Sequence, residues 1–222
     1  MKTSDSFDTT MNGKERHIVI LADGDFPRHP YPIAILKSAD TIVCCDNSVL
    51  KLSAHTEIEA DYIVGDMDTM SPENKLRFKE KIRQFPDQET NDLTKAFKFV
   101  LGLNPTKITV LGATGAREDH SLGNISLLAD YTKEFPNIET VTDYGIFTSH
   151  CDSFAMESVP GQQISIFAFD PTLKIKSAGL VYPTDSVIFD RWWKATLNEA
   201  ASTSFALTFS HPAEVLVFRA FV

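Results

Sequence analysis

The sequence lacks the features that would place the protein in a membrane. No apolar run approaches the ~20 residues that a membrane-spanning helix needs. Residues 1–15 are polar, lack the apolar stretch of a signal peptide, and are predicted to form a tail. We therefore expect a soluble, cytoplasmic protein that has no membrane partner.

Cysteine and positive charge are also scarce. The three cysteines, Cys44, Cys45 and Cys151, show no Cys-x-x-Cys spacing, which argues against a disulfide framework or a zinc site. The chain has 21 lysines and arginines against 30 aspartates and glutamates, a net charge of -9. It therefore lacks the basic surface that nucleic acid or anionic lipid requires, and we expect no nucleic-acid partner. An acidic protein can still bind ATP through magnesium and a few local cations.

The first part of the chain has the pattern of an α/β domain. The whole chain of 222 residues, 43% hydrophobic and 23% charged, is long enough for one large or two small globular domains. Short apolar strands are predicted at 17–21, 41–45, 61–64 and 107–111, and helices at 71–85, 92–103 and 120–135. This alternation predicts a Rossmann-like, mostly parallel sheet with flanking helices over 16–137.

From residue 138 the pattern changes to short segments rich in β-branched and aromatic residues. These segments are 140–150, 162–170, 173–182, 185–189, 203–210 and 214–222. They predict an antiparallel β-sandwich or barrel rather than further α/β units. The expected organisation is a tail at 1–15, an α/β domain at 16–137 and an all-β domain at 138–222.

Acids, glycines or both follow each of the four apolar strands in the first part of the chain. They lie at 22–25, 46–48, 65–68 and 112–115. In an open parallel sheet the carboxyl ends of the strands meet along one edge, where ligands bind. A single segment of this kind is most simply a polar loop, but the four together predict a ligand site.

Asp66 and Asp68 stand at i and i+2 directly after the third of these strands. Two carboxylates at a strand end suit Mg²⁺, which prefers oxygen ligands, water and substrate phosphates. The alternative is a solvated turn, and this pattern alone favours that alternative.

The start of the helix predicted at 92–103 supports a phosphate site. Asp92 and Lys95 lie in its first turn, where an acid complements the helix dipole and a lysine opposes it. A phosphate ligand would explain Lys95.

The segment 112–124, GATGAREDHSLGN, joins a strand to a helix. Its glycines allow close backbone approach, and a helix N-terminus attracts phosphate, although the segment is neither a P-loop nor a GxGxxG fingerprint. It contributes one cation, one acid and two hydrogen-bonding groups: Arg117, Asp119, His120 and Asn124.

Three segments in this order and spacing resemble the motifs of the thiamine pyrophosphokinase family: GDMDT (65–69), DQETNDLTK (87–95) and GATGAREDHSLGN (112–124). SAGLVYP (177–183) and ATLNEA (195–200) extend the resemblance, which covers the chain from about residue 17 onward. The resemblance implies a homodimer with sites built from both subunits. It also implies Mg²⁺-dependent transfer of the pyrophosphoryl group of ATP to the hydroxyl of thiamine, giving thiamine diphosphate and AMP.

The resemblance assigns roles to residues of this sequence. It implies that Mg²⁺ is held by Asp66, Asp68 and Asp92. The ATP phosphates and the entering hydroxyl would be surrounded by Gln88, Lys95, Arg117 and Asp119. Further ATP contacts are expected from Asp46, Gly112, His120 and Asn124. Thiamine would stack on Tyr182 and make polar contacts with Thr196 and Asn198.

The sequence departs from the family pattern at three places. Asn47-Ser48 stands where two glycines are usual, Asn91 where a threonine is usual, and Leu197 where a serine is usual. Two alternatives to the family activity stay open. One is a non-catalytic thiamine or nucleotide sensor on the same fold, against which the three carboxylates argue. The other, motivated by Leu197, is a pyrophosphokinase for a related heterocyclic alcohol.

Overall fold

The structure is a computed structural model that describes residues 15–87 and 89–222. The helices and strands of these residues are, in chain order, β1 (His17–Leu21), α1 (Pro30–Ser38), β2 (Thr41–Cys45), α2 (Ser48–His55), β3 (Tyr62–Gly65), α3 (Pro72–Arg77), β4 (Ile82–Gln84), α4 (Asp92–Leu101), β5 (Lys107–Leu111), α5 (Glu118–Glu134), β6 (Ile138–Val141), β7 (Gly145–His150), β8 (Phe154–Glu157), β9 (Gln163–Ala168), β10 (Ile175–Ala178), a 3₁₀ helix (Trp192–Ala195), β11 (Asn198–Glu199), β12 (Ser204–Phe209) and β13 (Val215–Ala220). Among these elements, no helix has both the length and the apolar character to cross a bilayer.

Two sheets organise the described residues. The larger has the strand order β11-β9-β13-β7-β6-β5-β1-β2-β3-β4, and the smaller has the order β10-β12-β8. Across the large sheet, neighbouring strands pair in parallel along β4-β3-β2-β1-β5-β6. They pair antiparallel along β6-β7-β13-β9-β11. This confirms the predicted fold class, a mostly parallel α/β sheet followed by antiparallel β-structure. The large sheet continues through β6, across the domain boundary predicted at 137/138.

The parallel strands are buried on both faces because helices cover each side. Alternate side chains of β1 point to opposite faces, so Ile18 and Ile20 join the core beside α4 and α5, while Val19 and Leu21 join the core beside α1 and α2. A third core lies between the small sheet and the antiparallel half of the large sheet, and includes Phe205.

Two local predictions are wrong. The helix predicted over 71–85 is observed only over Pro72–Arg77. Ser71 caps its start, because the Ser71 hydroxyl accepts a hydrogen bond from the backbone amide of Asn74 at 3.2 Å. The chain then forms β4, because Ile82 pairs with Ile63 at the sheet edge and this tertiary pairing overrides the helical pattern. The strand predicted at 185–189 is irregular, and Phe189 is buried there without strand pairing. Helices α1 and α2, strands β8 and β11 and the 3₁₀ helix were not predicted.

His150 makes the stability of the fold depend on pH. Burial, followed by the nearby positive charge of Arg219, lowers the pKa of His150 to about 4, and its ring stacks on Phe154 at 3.7 Å. In the unfolded chain His150 binds a proton below about pH 6.5, whereas in the folded chain it stays neutral down to about pH 4. The folded state therefore loses stability as the pH falls from 6.5 towards 4. We expect about 2 kcal/mol less stability at pH 5 than at pH 7.5, measured by urea unfolding. His150→Gln should remove most of this difference, and an equal loss in the variant would contradict the assignment.

Candidate active site

Three carboxylates converge at the carboxyl edge of the parallel strands. Asp46 follows β2, Asp66 and Asp68 follow β3, and one oxygen of each lies within 4.8 Å of the others. The backbone is left-handed at Asp46 (φ 43°) and at Met67 (φ 62°). Side chains two positions apart lie on one face even in an extended chain, and the turn at Met67 brings the carboxylates of Asp66 and Asp68 close enough to share one point.

Asp46 is the most buried member of this carboxylate cluster. It is 6% exposed, and its Oδ2 accepts a hydrogen bond from the Thr69 hydroxyl at 2.9 Å, whereas its Oδ1 is buried and has no hydrogen-bond partner among the described residues. Burial raises the pKa of Asp46, the Thr69 hydrogen bond opposes that rise, and the nearby carboxylates, Asp92 first, add to it. A buried carboxylate oxygen without a partner is costly for the fold, and a bound cation would satisfy it.

Lys95 joins this cluster to the start of α4. Its ammonium, 4% exposed, donates to Asp66 Oδ2 and to Asp92 Oδ1, both at 3.1 Å. Burial lowers the pKa of Lys95, but the hydrogen bonds to Asp92 and Asp66 outweigh it, so the net pKa is raised. The pKa of Asp66 is lowered, chiefly because Asp66 accepts a hydrogen bond from the backbone of Asp68. These ion pairs account for a lysine in the first turn of a helix.

The glycine-rich loop at 112–115 contacts the loop at 22–25. Gly24 donates to the Gly112 carbonyl at 2.7 Å, and Asp25 donates to the Thr114 carbonyl at 2.8 Å. Gly112 has a left-handed backbone (φ 63°), and a Cβ there would lie 2.7 Å from the Ala22 carbonyl oxygen. Glycine is therefore required at this crossing of the two loops.

The residues that follow the glycine-rich loop are exposed and bonded to one another. Arg117 donates to both oxygens of Asp119, at 3.0 and 2.5 Å, and this pairing lowers the pKa of Asp119 to about 2. The backbone of His120 also donates to Asp119, at 3.0 Å. Asn124 donates to the Ala113 carbonyl at 2.9 Å, so it fixes the loop. The ATP contacts assigned to these residues stay predictions.

The residues assigned to thiamine lie around a separate pocket of about 310 Å³ in the second half of the chain. Buried Asn198 holds the pocket wall, because its amide donates to the Tyr182 carbonyl at 2.7 Å and accepts from the Tyr182 amide at 3.2 Å. The Tyr182 ring is 62% exposed. The Thr196 hydroxyl donates to the Trp193 carbonyl at 2.8 Å, and Leu197 (φ 57°) is 69% exposed at the rim.

The carboxylate cluster and this pocket lie far apart within one chain. Asn198 is in β11 at one end of the large sheet, and Asp46 follows β2 near the other end. At ~4.8 Å between neighbouring strands, the two sites are separated by roughly 30 Å along the sheet. A molecule of thiamine is too small to bridge them.

The structure thus unites some of the predicted residues and not others. It brings together Asp46, Asp66 and Asp68 directly, with Asp92 joined through Lys95. Sequence reasoning placed Asp46 against ATP and missed its place in the cluster, although its position after the strand next to β3 was an available signal. Gln88 lies outside the described residues.

Fold and site together define an α/β protein with a candidate cation site at its sheet edge, joined to antiparallel β-structure that carries its own pocket. The family model "Thiamin pyrophosphokinase, catalytic domain" matches residues 33–141, and "Thiamin pyrophosphokinase, substrate-binding domain" matches residues 145–218. The chain belongs to the thiamine pyrophosphokinase family.

Individual relatives agree with this placement. Thiamine pyrophosphokinase 1 of Oryza sativa subsp. japonica is 34% identical over 116 residues, which cover 48% of this chain and 41% of the rice protein. The match therefore spans about two-fifths of that relative. Thiamine pyrophosphokinase of Bacillus subtilis has a TM-score of 0.76 at 20% identity, covering 92% of this chain and 99% of the other. That of Geobacillus thermodenitrificans has a TM-score of 0.75 at 19% identity, covering 93% and 98%. These two structures establish the likeness of the fold.

Proposed function

We propose that this protein is a Mg²⁺-dependent thiamine pyrophosphokinase that converts thiamine and ATP into thiamine diphosphate and AMP. The observation that carries the proposal is the convergence of Asp46, Asp66 and Asp68, in a chain matched by both domain models of this family. The domain division at 137/138 and a cytoplasmic location stay predictions.

The carboxylate cluster fits a magnesium ion. Its oxygens are the ligands that Mg²⁺ prefers, and within the part of the chain that the structure describes the buried Oδ1 of Asp46 has no hydrogen-bond partner. Asp46, Asp66 and Asp68 would hold the ion, with Asp92 beside them. Bound there, magnesium would supply positive charge to the β- and γ-phosphate oxygens of ATP.

The proposed reaction balances without a covalent enzyme intermediate. The hydroxyl oxygen of thiamine forms a bond to the β-phosphorus, the bond from that phosphorus to the oxygen bridging the α-phosphate breaks, and AMP leaves. The hydroxyl proton passes to solvent. The chain's own residues chiefly position the reactants: Lys95 holds Asp66 and Asp92 in place, and Asp119 holds Arg117 beside the glycine-rich loop.

We further infer that the working enzyme is a homodimer whose sites combine two subunits. The carboxylate cluster and the pocket around Tyr182 and Asn198 lie roughly 30 Å apart along one sheet. A second copy that sets its pocket against the carboxylate edge of the first would bring thiamine to ATP. This arrangement gives both halves of the site a use.

A panel of alcohols tests the proposed substrate. Purified protein is incubated with ATP, Mg²⁺ and thiamine, or with related heterocyclic alcohols, and AMP is measured by chromatography. Thiamine should give the highest rate, with one AMP for each thiamine diphosphate. A higher rate with another alcohol would assign the protein to that substrate, as exposed Leu197 at the pocket rim allows. Thiamine binding by calorimetry without AMP release would identify a sensor instead.

Asp46→Asn should raise the stability of the metal-free protein although it should lower the activity. Without metal, the substitution removes one of three converging charges, and we expect a gain of about 1 kcal/mol in urea unfolding with EDTA. Mg²⁺ should stabilise the wild type by binding the folded state and should stabilise the variant far less. Asp152→Asn, at an exposed aspartate in the turn after β7, is the control. A variant that is less stable in EDTA yet fully responsive to Mg²⁺ would count against the cation site.

A further inference from the structure

Lys51, in the second turn of α2, uses its whole hydrogen-bonding capacity on one loop. Its ammonium donates to the carbonyls of Asp23 at 2.7 Å and Gly24 at 2.8 Å, and it lies 2.8 Å from Asp23 Oδ1. A lysine ammonium has three N–H donors, and these three contacts use them all. Lys51 therefore has no donor left for a phosphate oxygen, and any effect it has on a ligand must pass through the loop.

The loop that Lys51 holds is bonded in turn to the glycine-rich loop. Between Ala22 and Asp25, three backbone amides donate to carbonyls of 111–114 at 2.7 to 2.8 Å. A Cβ added at Gly24 would overlap the Gly112 and Thr114 carbonyls, so the two loops are in direct backbone contact. A displacement of 22–25 therefore displaces 112–115 as well.

The start of α2 is tied to the carboxylate cluster. The side-chain amide of Asn47 donates to the Thr69 hydroxyl at 2.8 Å, and that hydroxyl donates to Asp46 Oδ2. The buried Ser48 hydroxyl donates to the Leu21 carbonyl at 2.8 Å, which fixes the helix against the end of β1. Helix α2 thus contacts the carboxylate cluster at its start and, through Lys51, the loop at 22–25.

We propose that Lys51 is a positioning residue that sets the distance between the glycine-rich loop and the carboxylate cluster. This inference rests on the proposed function, because these are the two elements between which the ATP phosphates would lie. Shifts of about 1 Å in such positioning can cost 100-fold in rate, so the role is worth testing. Lys51 belongs to none of the motifs that marked the site in the sequence.

Lys51→Met tests the proposal through steady-state kinetics in ATP and in thiamine. We expect kcat to fall about 100-fold and the KM for ATP to rise about 10-fold, with the KM for thiamine changed less than about twofold. A KM does not depend on how much of the sample is folded, so a purely structural role would leave the KM for ATP unmoved. Lys51→Arg, which keeps the charge and the donors, should recover most of the activity.

Controls separate this inference from the proposed function. Lys37→Met, at an exposed lysine in the last turn of α1, should behave as wild type. If Lys51→Met does not fold, Lys51→Gln keeps two N–H donors and should show the same selective rise in the KM for ATP. An active wild type with an unchanged KM for ATP in the folded Lys51 variants would overturn the positioning role alone. A wild type that forms no AMP would overturn the proposed function.

Discussion

Asp66→Asn is expected to lower the rate of AMP formation at least 1,000-fold, an effect as large as that of removing a central charge-stabilising group. Asp66 lies within the carboxylate cluster and also receives the ammonium of Lys95. Asparagine keeps the shape and can still accept the hydrogen bond from the Asp68 amide. The substitution therefore removes charge while it preserves the turn.

The measurement is AMP release at saturating ATP, thiamine and Mg²⁺, with circular dichroism to establish that the variant is folded. Asp152→Asn removes the same charge from an exposed position after β7 and should retain full activity. A folded Asp66→Asn protein with more than a tenth of wild-type activity would contradict the role of this carboxylate.

Two inactive variants should restore activity when their subunits are mixed. One is Asp66→Asn, which removes the carboxylate half of the site. The other is Tyr182→Ala combined with Thr196→Ala, which removes the pocket half. If each site takes its halves from different subunits, a mixed dimer has one intact site and one doubly defective site. After refolding an equal mixture, we expect roughly a quarter of wild-type activity, because half of the dimers are mixed.

The unmixed variants are the control for this experiment and should each stay inactive after the same refolding. Size-exclusion chromatography should place the wild type and the mixture at the size of a dimer. Activity in the mixture no greater than the mean of the two variants would contradict sites shared between subunits.

The sequence predicts most of the fold because its patterns are local. The buried strands β1, β2, β3 and β5 are apolar runs of four or five residues, and polar turns bound them. The helix at 71–85 was wrong in its second half because β4 forms by pairing with β3, a contact that no local pattern contains. Helices α1 and α2 are short, and over so few residues their apolar pattern cannot be told from that of a loop or a strand.

The part of the candidate site that directly follows strands was predictable, whereas the part that depends on tertiary side-chain contacts was less so. The position after β3 predicted Asp66 and Asp68 as neighbours in space, and the structure places their oxygens together with Asp46. The burial of Asp46 depends on tertiary packing around Thr69, which the sequence does not encode locally. The role of Lys51 could not be predicted for the same reason, because its three acceptor atoms belong to residues 27 and 28 positions away in the sequence.

The central claim is transfer of a pyrophosphoryl group from ATP to thiamine, and isotope tracing measures it directly. The enzyme is incubated with Mg²⁺, thiamine and ATP labelled separately at the α-, β- or γ-phosphorus, and the products are separated. We predict that the β- and γ-labels both appear in thiamine diphosphate in equal amounts, and that the α-label appears only in AMP. Transfer of the γ-label alone, with the α- and β-labels in ADP, would contradict the account.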